Sequence, residues 1–214
     1  MVTLPWFFSY FTLHAFTLWY NLTVVKIGEK MVEKQRCKWV NLNNPKYIKY
    51  HDECWGVAIH EDISLFRELS LEILSAGLSY EIVFNKREAI ELAFDGFNLN
   101  KIKDYKDDKI NELLLNKDII RSRSKLLAII NNSRVFLEIQ AEFRSFNNYI
   151  WSFTGFKAIA EAGKSHSELS DKICKDLKAR GIKGIGSITI YSYLSAIGII
   201  NAHEEGCYLR KIEV

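Results

Sequence analysis

RCKWVNLNNPKYIKYHDECWG, residues 36–56, decides how this chain reads. The stretch holds Cys37 and His51 together with four large aromatics, Trp39, Tyr47, Tyr50 and Trp55, and has too few apolar repeats to be only a core helix. Near the other end of the chain comes NAHEEGC, residues 201–207, which supplies His203 and Cys207. Two thiols and two imidazoles are a donor set for a closed tetrahedral zinc site. The spacing, C-x13-H followed by H-x3-C, is unlike that of a zinc finger. It fits a shared metal joining the two ends of a domain, and equally four unrelated side chains with the thiols buried as small hydrophobes. Cys54 is a competing ligand, read more simply as a partly buried thiol.

Composition bounds the rest. The chain has 214 residues, 48% hydrophobic and 26% charged, with a net charge of +3, which describes a folded globular protein and excludes a disordered one. A mild basic excess permits an anionic partner such as nucleic acid without demanding one. Four cysteines do not make a disulfide scaffold, and the Lys-rich body suits a reducing, cytoplasmic compartment. Residues 1–25 carry no Lys, Arg, Asp or Glu and are long enough to span a bilayer, with Lys26, Lys30 and Lys34 then placing the body in the cytoplasm. They make a poor signal peptide. The preferred expectation is a start at Met31, because Gly28, Glu29 and Lys30 need nearly all-purine codons, like a bacterial ribosome-binding site. The expected organisation is a hydrophobic extension, 1–30, and one body, 31–214, with membrane contact only if the extension is translated.

Between the two ends the pattern is predominantly α. Asp62 is expected to cap a helix running to Ser75, with Leu65, Phe66, Leu69 and Ile73 on one face and Glu72 on an otherwise apolar stretch. A buried carboxylate there needs a partner or serves as an acid aimed into a pocket. After Gly77, one helix over 79–94 is expected to turn Ile82, Ile90 and Phe94 inward and leave Lys86 and Arg87 wet. A shorter helix starts at Asp107 or Asp108. A long one follows, with Arg121, Arg123 and Lys125 at its N-terminal end, where bases oppose the helix dipole and call for an anion. A short helix holds Tyr149 and Trp151, and a loop covers 154–165. The helix from Ser167 to Arg180 stops at Gly181. GIKGIGS, residues 181–187, is either a simple C-cap and turn or a hairpin whose amides, with Lys183, hold a DNA phosphate, Ser187 capping the next helix.

Assembled, these blocks resemble the DNA-3-methyladenine glycosylase I family over 34–207. The carriers are RCKWV, YIKYHDECWG, LEILSAGLSY, NKR at 85–87, IIRSRSKL, IWSF at 150–153, DLKARGIKGIG, YSYLSAIG and NAHEEGC. The resemblance implies an all-α helix-hairpin-helix glycosylase fold whose N- and C-terminal segments are joined by a structural zinc on Cys37, His51, His203 and Cys207. It implies a monomeric, monofunctional enzyme acting on duplex DNA that contains alkylated bases, with no protein partner. Glu72 and Tyr50 would hydrogen-bond the base, Tyr80 would stack on it, and Trp39, Tyr47 and Trp55 would line the pocket. Gly77 and Leu78 would fill the gap in the duplex, and Lys183, Gly184, Gly186, Arg121 and Arg123 would contact DNA. An ionised Glu72 is expected to favour the cationic lesion 3-methyladenine over neutral adenine. The chain departs from the family at Tyr80 (usually Trp), Ser75 and Ser195 (usually Gln) and Gly184 (usually aromatic), so a shifted lesion range is one alternative and a DNA-binding protein without excision is another.

Overall fold

The structure, a computed structural model, describes residues 34–210. The extension expected at 1–30 lies outside them.

The first helix, α1 (Pro45–Glu53), starts where Asn44 accepts a hydrogen bond from the Tyr47 amide and Pro45 occupies the first turn, a position that needs no amide donor. Helix α2 (Asp62–Ser75) is the axis of the body. Every residue from Glu68 to Leu74 is buried, so this helix is covered nearly all round rather than on one stripe. It packs against four helices that follow it in the chain: α3 (Tyr80–Asn85), α7 (Arg123–Phe143), α8 (Phe146–Ser152) and α10 (Ser187–Ala196). Helices α4 (Arg87–Ala93), α5 (Leu99–Ile102) and α6 (Asp107–Leu115) complete one side, and α9 (Glu168–Ala179) pairs with α10. The only strands among the described residues are β1 (Ile159–Ala160) and β2 (Ile200–Asn201), a two-residue parallel pair that fastens the 154–165 loop to the C-terminal segment. No helix of the described residues is long and apolar enough to cross a membrane.

Three local expectations are corrected. Asp62 begins α2 but does not cap it. Its carboxylate instead accepts from the Phe146 and Asn147 amides, both at 2.8 Å, and from Gln140 Nε2 at 2.6 Å, so it caps α8, which is remote in sequence. The helix expected over 79–94 is two helices meeting at Lys86, and the break turns Ile82 outward, 45% exposed, while Arg87 turns inward against Glu68. Ser187 lies inside α10, whose N-cap is Gly186, and its hydroxyl reaches back to Asp171 on α9.

One close approach locks the connection between α1 and α2. Gly198 has φ +78°, and a Cβ there would lie 2.6 Å from the Ala58 nitrogen, so only glycine lets the backbone at 57–58 lie along the end of α10. The Gly56 and Ile59 amides then donate to the Ala196 and Ile197 carbonyls. The segment carrying the aromatics is thereby held against the helix that carries Tyr191 and Ser195.

Candidate functional site: an aromatic pocket beside a thiol–imidazole cluster

The four thiol and imidazole residues converge. Cys37, His51, His203 and Cys207 are all buried, and their donor atoms lie within 4.8 Å of one another. Cys207 Sγ is 3.5 Å from both His51 Nε2 and His203 Nδ1, and Cys37 Sγ is 3.6 Å from His203 Nδ1. A tetrahedral centre with ordinary metal–sulfur and metal–nitrogen bonds has S···N edges of about 3.5 Å, so the donor set fits a small tetrahedral ion. Without a cation the cluster is costly. Burial pushes the Cys37 thiol up to about 12 and His203 down to about 4, which keeps both neutral. Around the donors, His51 Nδ1 lies 2.8 Å from Asp52 Oδ1, and Arg36 grips the Asp52 carboxylate through Nε and Nη2. Across the join, the Lys38 amide donates to Glu204 Oε2 at 2.7 Å and the Tyr208 amide to the Gln35 carbonyl at 2.9 Å.

The aromatic residues of the same stretch build a pocket of about 320 Å³. Its walls include Trp39, Tyr47, Tyr50, Trp55, Glu72 and Tyr80, with Tyr191, Ser192 and Ser195 from α10. The walls touch the thiol–imidazole cluster. Trp39 meets the His51 ring edge-on at 5.3 Å between centroids, and Trp55 meets His203 at 4.7 Å. On the other side Tyr50 stacks between Tyr47 and Tyr80, with interplanar angles of 8° and 24°, and the Tyr50 and Tyr80 hydroxyls are 3.1 Å apart.

Glu72 lines the same pocket, nearly closed to solvent and accepting from the Ser75 hydroxyl at 3.4 Å. Burial, reinforced by the charge of Glu68 one turn away, pushes its carboxyl up to about 8 against the lowering contact with Ser75. Burial therefore favours the neutral acid, against the ionised Glu72 expected from the sequence, until a cation lies beside it. Glu68 keeps its own charge paired. It forms a short two-pronged ion pair with Arg87, whose guanidinium carbon stands 5.9 Å over the Tyr50 ring. Sequence reasoning missed this pair, because the period running through Lys86 put Arg87 on the solvent side.

The glycine hairpin, 181–186, joins α9 to α10 on a neighbouring surface. Here too the sequence reading needs correction, because some hairpin amides are not free for a ligand. Asn132, fully buried on α7, accepts from the Lys183 amide at 2.8 Å and donates to the Lys183 carbonyl at 2.9 Å, and Gly181 and Ile182 donate to carbonyls of α9. The amides from Gly184 to Ser187 have no acceptor among the described residues. Gly184, φ +76°, packs so closely that a Cβ would meet Ile73 at 3.0 Å and Ala128 at 3.1 Å, so the backbone found here has no space for an aromatic. Arg121 and Arg123, at the start of α7, are exposed, with Arg123 reaching Asp107 at 3.3 Å. Leu78, 44% exposed, follows Gly77 at the end of α2.

The chain is similar to known proteins over most of its length. The family model described as methyladenine glycosylase matches residues 39–211. DNA-3-methyladenine glycosylase 1 of Escherichia coli (strain K12) is 35% identical over 179 residues, which is 81% of this chain and 95% of that protein. DNA-3-methyladenine glycosylase of Haemophilus influenzae is 34% identical over 178 residues, 80% of this chain and 96% of that one. A solved structure of 3-methyladenine DNA glycosylase I from Staphylococcus aureus, described for its recognition of 3-methyladenine, superposes with a TM-score of 0.79 at 30% identity, covering 84% of this chain and 98% of that chain. The chain belongs to the methyladenine glycosylase family.

Proposed function

We propose that this protein is a monofunctional DNA glycosylase of base-excision repair that releases alkylated purines, chiefly 3-methyladenine, from duplex DNA. The observation that carries the reading is Glu72 set among Tyr47, Tyr50, Tyr80, Trp39 and Trp55 in a pocket of about 320 Å³, in a chain whose relatives are named for this activity.

The chemistry asks little of the protein beyond selection. A base inside a duplex is out of reach, so the damaged nucleotide is flipped into the pocket. 3-Methyladenine carries a positive charge while attached to the sugar and is already a good leaving group. As the bond between the base nitrogen and C1′ breaks, its electron pair returns to the base and cancels that charge; water oxygen bonds to C1′ and loses a proton to solvent. A cation entering beside Glu72 favours the carboxylate, and the aromatic faces add about 0.5–2 kcal/mol of cation–π attraction. Neutral adenine gains neither. Glu72 and Tyr50 hydrogen-bond the base, Tyr80 stacks on it, and Trp39, Tyr47 and Trp55 complete the wall.

Around the pocket, the α9–α10 pair acts as a helix-hairpin-helix element. The free amides from Gly184 onward, Gly186 at the helix entry, Lys183, Arg121 and Arg123 hold backbone phosphates without reading sequence. Gly77 and Leu78 fill the space the flipped nucleotide leaves. Zinc is the metal that the two thiols and two imidazoles suit best, as a structural ion on Cys37, His51, His203 and Cys207. When bound it supplies folding free energy and no step of the reaction. The protein acts as a monomer.

The test is release of 3-methyladenine from alkylated duplex DNA by the purified protein. Wild type is expected to release the free base, and Glu72→Gln to retain the fold while losing most of the release. Equal release by the two proteins would remove Glu72 from its assigned role, and no release by wild type would leave a DNA-binding protein without excision.

A further inference from the structure

The basic group at the start of α7 divides into two kinds of residue. Arg121 and Arg123 are exposed, but Lys125 is half-buried and turns inward, where its ammonium donates to the Leu74 carbonyl at 2.8 Å and to the Ala76 carbonyl at 2.7 Å. Those carbonyls belong to the end of α2, the helix that carries Glu72. They flank a tight turn over residues 75–78. Ala76 has φ −50° and ψ 119°, Gly77 has φ +78°, and the Leu78 amide donates to the Ser75 carbonyl at 2.7 Å, which together define a type II turn. The end of α2 has no basic residue of its own in its last turn. Lys125 supplies that charge from another helix, where orphan carbonyls and the negative end of the dipole both favour it.

The same lysine lines a second cleft, of about 310 Å³, formed with Ser124, Leu127, Ala128, Lys183 and Gly184. One ammonium therefore stands where the turn bearing Leu78, the start of α7 and the glycine hairpin meet. Burial lowers the pKa of Lys125, as expected for an amine that exchanged water for two carbonyls.

We infer that Lys125 is a positioning residue: held between the Leu74 and Ala76 carbonyls, it fixes the 75–78 turn against the hairpin so that Leu78 is presented to the duplex while the hairpin holds the phosphates. This rests on the proposed reading of the protein as a DNA glycosylase. It assigns Lys125 a different task from the neighbouring arginines and from Lys183, none of which is tied to the turn. A methionine keeps the aliphatic stem and removes both hydrogen bonds; an arginine can restore them.

The experiment compares wild type, Lys125→Met, Lys125→Arg and Lys183→Met in four measurements. These are single-turnover release of 3-methyladenine from duplex DNA, binding of free 3-methyladenine, the salt dependence of DNA binding, and hydrogen exchange at the Leu78 amide. For Lys125→Met the expectation is a fall in duplex release of about tenfold with free-base binding unchanged, a salt slope equal to that of wild type, and faster Leu78 exchange, with Lys125→Arg recovering both release and protection. Lys183→Met, which removes a proposed phosphate contact, is expected to lower the salt slope by about 0.9. A slope lowered to the same extent in Lys125→Met would make Lys125 a phosphate ligand and overturn the inference, as would unchanged Leu78 exchange. A parallel loss of free-base binding would show general collapse of the pocket, which also overturns it. If wild type itself releases no base, the glycosylase reading fails, and Leu78 exchange still decides whether Lys125 holds the turn.

Discussion

His51 Nδ1 lies 2.8 Å from Asp52 Oδ1, and this contact determines which ring nitrogen faces the thiols. Burial pushes the Asp52 carboxyl up, but hydrogen bonds from Arg36, His51 and Tyr208 outweigh it and hold the group down at about 2. Asp52 is therefore an acceptor at neutral pH, and His51 must carry its proton on Nδ1. Nε2, 3.5 Å from Cys207 Sγ, is left with a lone pair for a metal.

Metal content follows first. The purified protein is expected to contain about one zinc per chain by elemental analysis, a stoichiometry set by the one four-donor cluster among the described residues. Removing the ion, or exchanging Cys207→Ser, should cost stability before it costs chemistry. A loss of about 3 kcal/mol in a body of this size lowers Tm by about 6–12 °C. Undiminished thermal stability in a metal-free preparation would count against a structural ion.

Glu72 predicts a pH dependence of known sign. Its carboxyl titrates at about 8 in the folded protein against 4.5 for the ordinary group, so as pH rises the unfolded chain loses this proton first. Stability then falls with rising pH between those two values. Glu72→Gln removes that loss. Urea unfolding is expected to show the variant gaining on wild type by at least about 1 kcal/mol between pH 5 and pH 8, while base release drops. A gap that does not change with pH would contradict a neutral Glu72.

The Glu68–Arg87 pair is buried and two-pronged, and it stands behind Tyr50. Arg87→Met leaves the buried Glu68 carboxylate with only the 3.4 Å contact from Arg67 Nε and is expected to cost about 3 kcal/mol in chemical denaturation. Replacing both partners, Glu68→Leu with Arg87→Met, should recover most of that cost. Additive losses in the double variant would show that the two side chains do not act as a pair.

Asp62 joins the start of α2 to the start of α8 through two amides and Gln140. Asp62→Ala is expected to cost about 1–2 kcal/mol and Asp62→Asn less, since the amide oxygen still accepts. Exchange at the Phe146 and Asn147 amides should quicken in the Asp62→Ala variant. Unaltered protection there would show that α8 is capped by other means.

What the sequence revealed depended on how far apart the cooperating residues lie. Helix starts and stops at Ser167, Gly181 and Asp107 rest on neighbours and could be read locally. The four donors could be recognised by type, but Cys37 and His203 are separated by 166 positions, and spacing alone could not unite them. Asp62 offered a local capping cue that a distant helix overrode. The period expected over 79–94 ran through Lys86 without anticipating the break, and so it put Arg87 on the wrong face. Asn132 gave only a faint signal, a polar residue among apolar ones in a long helix, and its role emerges only once the hairpin lies against it.

The two halves of the thiol–imidazole cluster also impose an order on the making of the protein. During synthesis Cys37, Trp39 and His51 leave the ribosome long before His203 and Cys207, while α2 and most of its neighbours are already able to collapse. Because Trp39 rests on His51 and Trp55 on His203, the aromatic wall is completed only when the last ligands arrive. A chain that ends before residue 203 therefore lacks two of the four donors and the imidazole against which Trp55 rests, and the wall it leaves is unfinished.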